Sequence, residues 1–163
     1  MMKYILTLSF LAILVSCNST LPDQTVYLVR HAEKDNTDQT DNPPLVQEGH
    51  DRAQRLHELM EDVNLSKVLS TEYDRNVNTV KPIVDSRGVE LEIYEWYEWQ
   101  GPVQAIKNRE GSFLICGHGD NLLPMIEFLG GDKPMEELGE HEYDNLFKVV
   151  RKNGQVNVEV IKF

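Results

Sequence analysis

The stretch VYLVRHAEKD, residues 26–35, places charged and titratable side chains directly after a run of four apolar residues. An apolar run that contains β-branched and aromatic residues is typical of a strand covered on both faces of a sheet. In a parallel sheet, ligands bind at the carboxyl ends of the strands, because the following loops converge there. Arg30 and His31 are therefore the first candidates for a functional site.

Strand-like runs and helical patterns alternate after this first strand. The strand-like runs are 25–29, 67–70, 90–94 and 112–116, and the helical patterns are 48–63, 77–84, 102–108 and 121–129. The end of the chain differs, because strand-like segments at 146–151 and 156–163 flank Asn153-Gly154, a strong hairpin signal. These patterns predict an α/β fold with a central, mostly parallel sheet and a C-terminal antiparallel hairpin.

The length and charge of the chain limit its partners. It has 163 residues, enough for one domain with a hydrophobic core. Its 16 lysines and arginines are outnumbered by 27 aspartates and glutamates, which gives a formal net charge of −11. Because this charge opposes attraction to polyanions, we expect no nucleic-acid partner.

The first residues have the pattern of an export signal. Residues 1–17 contain one early positive charge, an apolar run too short to span a membrane, and LVSC, which resembles a bacterial lipobox. We therefore expect a lipoprotein signal at 1–17, lipid on Cys17, a polar tether at 18–24 and the folded domain at 25–163. The protein would then be lipid-anchored in the bacterial cell envelope, facing the periplasm or at the outer membrane. An ordinary cleaved signal peptide or an uncleaved anchor is the alternative.

Three predicted strand ends carry arginine and histidine side chains. The first ends in Arg30 and His31, the second is followed by Arg75 in STEYDR, and the fourth ends in CGHGDN, which contains His118 between two glycines. The planar fork of arginine binds phosphate oxygens bidentately, and a neutral histidine can attack phosphorus to form a covalent phosphohistidine. The shared edge of the sheet is therefore predicted to bind and transfer a phosphoryl group.

The same residues resemble the motifs of the histidine phosphatase superfamily. LVRHAEK, LSTEYDRNVNT and GHGDNL are similar to its three motifs and occur in the same order, with Ala32 in place of the usual glycine. The resemblance implies a three-layer α/β/α sandwich in which His31 is the nucleophile and Arg30, Arg75 and His118 form the phosphate pocket. RHAEK and the short helix after the third strand are most similar to small bacterial SixA-like phosphohistidine phosphatases.

The general acid has three candidates. Members of this superfamily commonly protonate the leaving oxygen with a carboxylate that follows the third strand, and that segment here is YEWYEWQG, residues 94–101. We expect Glu95 to be the acid, with Glu98 second and Asp120, two residues after His118, third. Nearby aromatic side chains would raise the pKa of such a carboxyl by desolvation, which suits an acid.

The expected activity is hydrolysis of a phosphomonoester or phosphoramidate through a phosphohistidine on His31, with His118 in the site and without a metal ion or other cofactor. The phosphorylated partner would be a small molecule, a glycan or a protein. The alternatives are a weak or inactive lipoprotein that only binds a phosphorylated ligand or partner, and a phosphomutase. The charged residues 33–35 either select the substrate at the mouth of the pocket or form a solvated loop.

Overall fold

The computed structural model describes residues 21–163, in which strands and helices alternate before a terminal hairpin. The strands are β1 (Gln24–Arg30), β2 (Leu65–Thr71), β3 (Leu91–Tyr94), β4 (Gly111–Gly117), β5 (Asn145–Lys152) and β6 (Gln155–Lys162), and the helices are α1 (Gln47–Leu59), α2 (Asp74–Arg87), α3 (Gln100–Lys107) and α4 (Leu122–Phe128). The expected lipoprotein signal and Cys17 lie outside the described residues. Between residues 21 and 163, no helix is long and apolar enough to cross a membrane.

The six strands form one sheet in the order β3-β2-β4-β1-β5-β6. The first four strands are parallel, whereas β5 runs antiparallel to β1 and β6 antiparallel to β5. Because β4 lies between β1 and β2, three strand ends are neighbours: Arg30 pairs in register with Gly117, and Ser70 pairs with Cys116. The predicted α/β class is confirmed, and the three motif-bearing strand ends are adjacent.

Two hydrophobic clusters lie on opposite faces of the sheet. Successive residues of β1 alternate between them, as a period of two requires: Leu28 belongs to the cluster covered by α3 and α4, and Val29 to the cluster covered by α1 and α2. Leu114 and Ile115 alternate in the same way in β4. The central strands are therefore buried on both faces, which explains why they read as continuous apolar runs.

The terminal hairpin turns at Asn153-Gly154, as predicted. Both residues have positive φ, 52° and 78°, which is the requirement of the two-residue turn that matches the twist of a hairpin. In this hairpin β5 pairs with β1, and β6 forms the edge of the sheet opposite to β3.

Candidate active site

His31 lies directly after β1 and its orientation is fixed by two hydrogen bonds. Its backbone N–H donates to the carbonyl oxygen of Gly117 at the end of β4, at 3.1 Å. Its ring Nδ1 lies 2.8 Å from the carbonyl oxygen of Ala32, which can only accept, so Nδ1 carries the proton. The other ring nitrogen, Nε2, is then left with its lone pair, which is the state a nucleophile needs.

The surroundings of His31 keep its ring neutral. The side chain is only 4% exposed, and burial lowers its pKa from 6.5 to about 3. The hydrogen bond to the carbonyl oxygen of Ala32 raises the pKa, whereas the nearby His118, Arg75 and Arg30 lower it. At neutral pH the imidazole is therefore uncharged.

His118, in the loop after β4, is the second histidine of the site and is half-buried. Its ring centroid lies 5.5 Å from that of His31, and its Nε2 lies 3.1 Å from the hydroxyl oxygen of Thr71 at the end of β2. The side-chain oxygen of Asn121 accepts a hydrogen bond from the backbone N–H of His118 at 2.9 Å. Burial, with a further contribution from Arg75, lowers the pKa of His118 to about 4, so this ring is neutral as well.

Arg75, the second residue of α2, presents unused hydrogen-bond donors. Arg75 is 9% exposed, and its guanidinium stacks on the ring of Tyr73. The guanidinium carbon lies 4.2 Å from the ring centroid. Both Nε and Nη1 are buried and have no partner within residues 21–163. Buried donors without an acceptor are costly, and an anion in the adjacent depression, which Arg75 shares with His118, would satisfy them.

Arg30, the last residue of β1, is held from the opposite side of the site. Its Nη1 donates to the carbonyl oxygens of Gly139 and Glu140, at 3.1 and 2.8 Å. Its guanidinium carbon lies 4.4 Å from the ring centroid of Tyr143, and its buried Nε has no partner in the described chain. The segment between α4 and β5 thus fixes Arg30 and leaves one of its donors for a ligand.

Thr79 and Asn76, both in α2, connect this helix to the strand ends. The Thr79 hydroxyl accepts from the backbone N–H of Ala32 at 2.9 Å and donates to the carbonyl oxygen of Arg75 at 2.7 Å. The Asn76 side chain donates to the carbonyl oxygen of Gly117 at 2.9 Å. These bonds fix Arg75 relative to the residue that follows His31.

A cleft of about 590 Å³ opens beside the two histidines. Arg30, His31, His118 and Asp120 line one side, and residues of the 133–140 segment line the other. The sequence patterns predict no helix or strand for this second wall. The one feature of the sequence that indicates a functional segment here is its length between α4 and β5, since long loops in compact domains are commonly functional.

The three candidate acids occupy different positions. Asp120 lines the cleft together with His31 and His118. Glu95 and Glu98 are exposed in the turn after β3, where the backbone N–H of Glu98 donates to the carbonyl oxygen of Glu95 at 2.8 Å, and neither lines this cleft. Asp120, whose side chain is also exposed, thus lines the same cleft as His31, and the two glutamates do not.

The charged residues after the first motif connect neighbouring elements. Glu33 forms a 2.6 Å ion pair with Arg52 of α1, in which both side chains are less than 15% exposed. The Nη1 of Arg52 also donates to the carbonyl oxygen of Phe163 at 2.9 Å, and Asp35 accepts from the backbone N–H of Thr37 at 2.8 Å. Glu33 therefore anchors its loop to α1 and to the chain end.

The fold and the site together define an α/β domain with two histidines and two arginines at the carboxyl edge of a parallel sheet, of which His31 and Arg75 are buried. The family model of the histidine phosphatase superfamily, branch 1, matches residues 26–101. This match contains Arg30, His31 and Arg75, and His118 follows it. The match covers just under half of the chain, so it shows that the region around the first two motifs is similar to this superfamily.

Solved structures with the same fold come from several kinds of enzyme. The α-ribazole phosphatase from Shigella flexneri has a TM-score of 0.61 and 18% identity, covering 85% of this chain and 96% of that chain. The phosphoglycerate mutase from Bacillus anthracis str. Sterne has a TM-score of 0.65 and 17% identity, covering 87% and 94%.

A third structure, from Nakamurella multipartitia, is named as a candidate SixA phosphohistidine phosphatase and has a TM-score of 0.61 and 14% identity, covering 87% and 95%. No curated protein sequence matched this chain. At these identities the structures show the fold alone, and their TM-scores do not separate one branch from another.

Proposed function

We propose that this protein is a phosphatase that hydrolyses a phosphomonoester or phosphoramidate through a covalent phosphohistidine on His31. The observation that carries the proposal is the state of His31: a buried, neutral ring with its proton on Nδ1, beside unpartnered guanidinium donors. A neutral imidazole is nucleophilic, whereas an imidazolium is not.

In the first half-reaction, Nε2 of His31 attacks phosphorus and the bond from phosphorus to the leaving group breaks, with its electron pair moving to the leaving atom. The ring becomes positively charged, and its Nδ1–H remains bonded to the carbonyl oxygen of Ala32. The free donors of Arg30 and Arg75 are available for the phosphoryl oxygens, where they would stabilise the developing charge. In the second half-reaction, the carboxylate that protonated the leaving atom takes a proton from water as the water oxygen attacks phosphorus. The P–N bond breaks, and its electron pair returns to Nε2 of neutral His31.

The leaving atom needs a proton, and Asp120 is the carboxyl side chain that lines the cleft with His31. We propose Asp120 as the acid, with Glu95 and Glu98 as the alternatives. Asp120→Asn should lower kcat about 100-fold or more for an alkyl phosphate, and much less for p-nitrophenyl phosphate, whose leaving group needs no proton. If Glu95→Gln shows this dependence on the leaving group and Asp120→Asn does not, Glu95 is the acid.

The nucleophile is tested with p-nitrophenyl phosphate and His31→Ala. This variant should lose at least about 1,000-fold in kcat/KM, and wild-type protein quenched during turnover should carry an acid-labile phosphoryl group that the variant lacks. His50→Ala, a change of an exposed histidine in α1, is the matched control and should keep wild-type turnover. Turnover retained by His31→Ala would contradict the mechanism.

A binding role without turnover is the second candidate. The exposed positions of Glu95 and Glu98 favour it, because the segment that commonly supplies the acid in this superfamily places no carboxylate in the cleft. Binding of inorganic phosphate to purified protein, together with the absence of hydrolysis and of phosphohistidine for every ester tried, would establish this role.

We also propose that lipid on Cys17 anchors the domain to the bacterial envelope, with its site facing away from the cytoplasm. The support is the LVSC sequence and the apolar run before it. Cells fed a labelled fatty acid should label the wild-type chain, and Cys17→Ser should remove the label and release the protein from membranes. Unlabelled, freely soluble wild-type protein would overturn the anchor.

A further inference from the structure

The charges that line the cleft divide it into a basic floor and an acidic rim. The floor carries Arg30 beside His31 and His118, and it continues into the adjoining depression, where Arg75 lies beside His118. The rim, which we define as Glu136, Glu137 and Glu140, lines the same cleft. Within residues 21–163, none of these three carboxylates takes part in an ion pair, and the one lysine that lines the cleft, Lys133, lies 3.5 Å from Glu127 instead. The rim carboxylates are thus available to a cationic ligand.

The rim is fixed against the floor. The carbonyl oxygens of Gly139 and Glu140 accept hydrogen bonds from Arg30, and the backbone N–H of Gly139 donates to the Glu142 carboxylate at 2.9 Å. Because Glu140 is anchored to Arg30 through its backbone, the acidic side of the cleft keeps its position relative to the nucleophile.

An aromatic wall adjoins the cleft at Asp120. Tyr73 and Trp96 line the depression that Arg75 shares with Asp120, and the indole of Trp96 is 41% exposed. Glu95 and Glu98 flank Trp96 and Tyr97 in the chain, and their negative charges raise the pKa of Tyr97. Aromatic faces beside carboxylates are a favourable environment for organic cations.

The floor supplies the independent sign that a ligand binds here. Arg75 is nine-tenths buried and two of its nitrogens lack an acceptor in the described chain, so the end of the ligand beside it is an anion. The rim and the aromatic wall then surround the other end. We propose that the substrate is a zwitterionic phosphomonoester, in which the phosphate is esterified to a small amino alcohol whose ammonium group faces the rim. This inference rests on the proposed function and names its substrate class.

Three esters of nearly equal size test the charge preference. They are 2-aminoethyl phosphate with a cationic leaving group, 2-hydroxyethyl phosphate with a neutral one, and phosphoglycolate with an anionic one. At low ionic strength, kcat/KM should fall about tenfold from the cationic to the neutral ester and further for the anionic one. High salt should reduce the differences, because rim charges near solvent are screened.

Two variants test which side chains cause the preference for a cationic leaving group. Glu136→Gln combined with Glu137→Gln should reduce the ratio of kcat/KM between the cationic and the neutral ester several-fold, and Trp96→Leu should reduce it for the trimethylammonium analogue. Glu61→Gln, a change of an exposed acid between α1 and β2 at the opposite edge of the sheet, should leave the ratio unchanged.

The outcomes separate the inference from the proposed function. Turnover of all three esters without a preference for the cation would overturn the substrate class and leave the phosphatase assignment intact. Turnover of none would overturn the phosphatase assignment, and calorimetric binding of the same esters would then test the charge preference directly. A strong preference for a phosphopeptide rich in lysine over 2-aminoethyl phosphate would overturn the small amino alcohol as the substrate.

Discussion

Lowering the pH from 7 to 5 should destabilise this protein through His31, whose buried ring stays neutral in the folded state. The folded pKa is about 3, whereas the unfolded value is the ordinary 6.5. Between these two values the unfolded chain binds a proton at His31 that the folded chain does not, so the stability falls as the pH falls. The loss is greatest below pH 3 and is absent well above pH 6.5.

The magnitude follows from the same pKa values. Each pH unit below 6.5 lowers the free energy of unfolding by about 1.4 kcal/mol until the folded pKa is reached. His31 therefore lowers the free energy of unfolding by about 2 kcal/mol between pH 7 and pH 5. His118, with a folded pKa of about 4, contributes a further loss of about 2 kcal/mol over the same interval.

Urea denaturation in phosphate-free buffer, followed by tryptophan fluorescence at both pH values, measures this loss. Trp99, whose ring centroid lies 5.6 Å from that of Phe128, should report unfolding. His31→Gln should lose about 2 kcal/mol less than the wild type between pH 7 and pH 5, because glutamine does not titrate, and His50→Gln, at an exposed position, should lose as much as the wild type. Equal losses in the wild type and His31→Gln would refute the neutral state of His31 and, with it, the proposed nucleophile.

Two further predictions concern the arginines. Arg75→Lys should raise the Kd for inorganic phosphate about 10-fold or more in isothermal titration, because a single ammonium group cannot replace the paired donors of a buried guanidinium; unchanged affinity would place the anion elsewhere. Arg52→Met should lower the free energy of unfolding by about 2 kcal/mol in urea titrations, since it leaves the part-buried Glu33 unpaired. The ester preferences of Arg52→Met should match those of the wild type, and altered preferences would show that Glu33 contributes to substrate choice.

The parts of the site that lie at strand ends could be predicted from the sequence, because the sheet determines where those ends lie. Once β1 and β4 are recognised as parallel strands, their register sets Arg30 beside Gly117, and His118 follows at once. The hairpin at Asn153-Gly154 was equally predictable, since its turn depends on local backbone preferences.

The second wall of the cleft could not be predicted in this way. The segment from 130 to 144 has no helical or alternating pattern, and its position depends on contacts with Arg30 that are distant in sequence. The acid shows a related difficulty. Glu95 and Asp120 are both exposed, but only Asp120, in the loop after β4, lines the cleft.

In the described part of the chain, the site contains both unpartnered guanidinium donors and unpaired carboxylates, which is a physical reason for expecting a ligand that carries a negative and a positive charge. The donors of Arg75 are buried without an acceptor in residues 21–163, and the rim carboxylates line the adjoining cleft without an ion-pair partner in the same part of the chain. Each such group is unfavourable alone, because a buried donor loses its hydration and the rim carboxylates repel one another. A phosphate would satisfy the floor but bring its own negative charge towards the rim. A ligand with an ammonium group two or three bonds beyond the ester oxygen would relieve both ends at once, so its binding should stabilise the fold more than inorganic phosphate does.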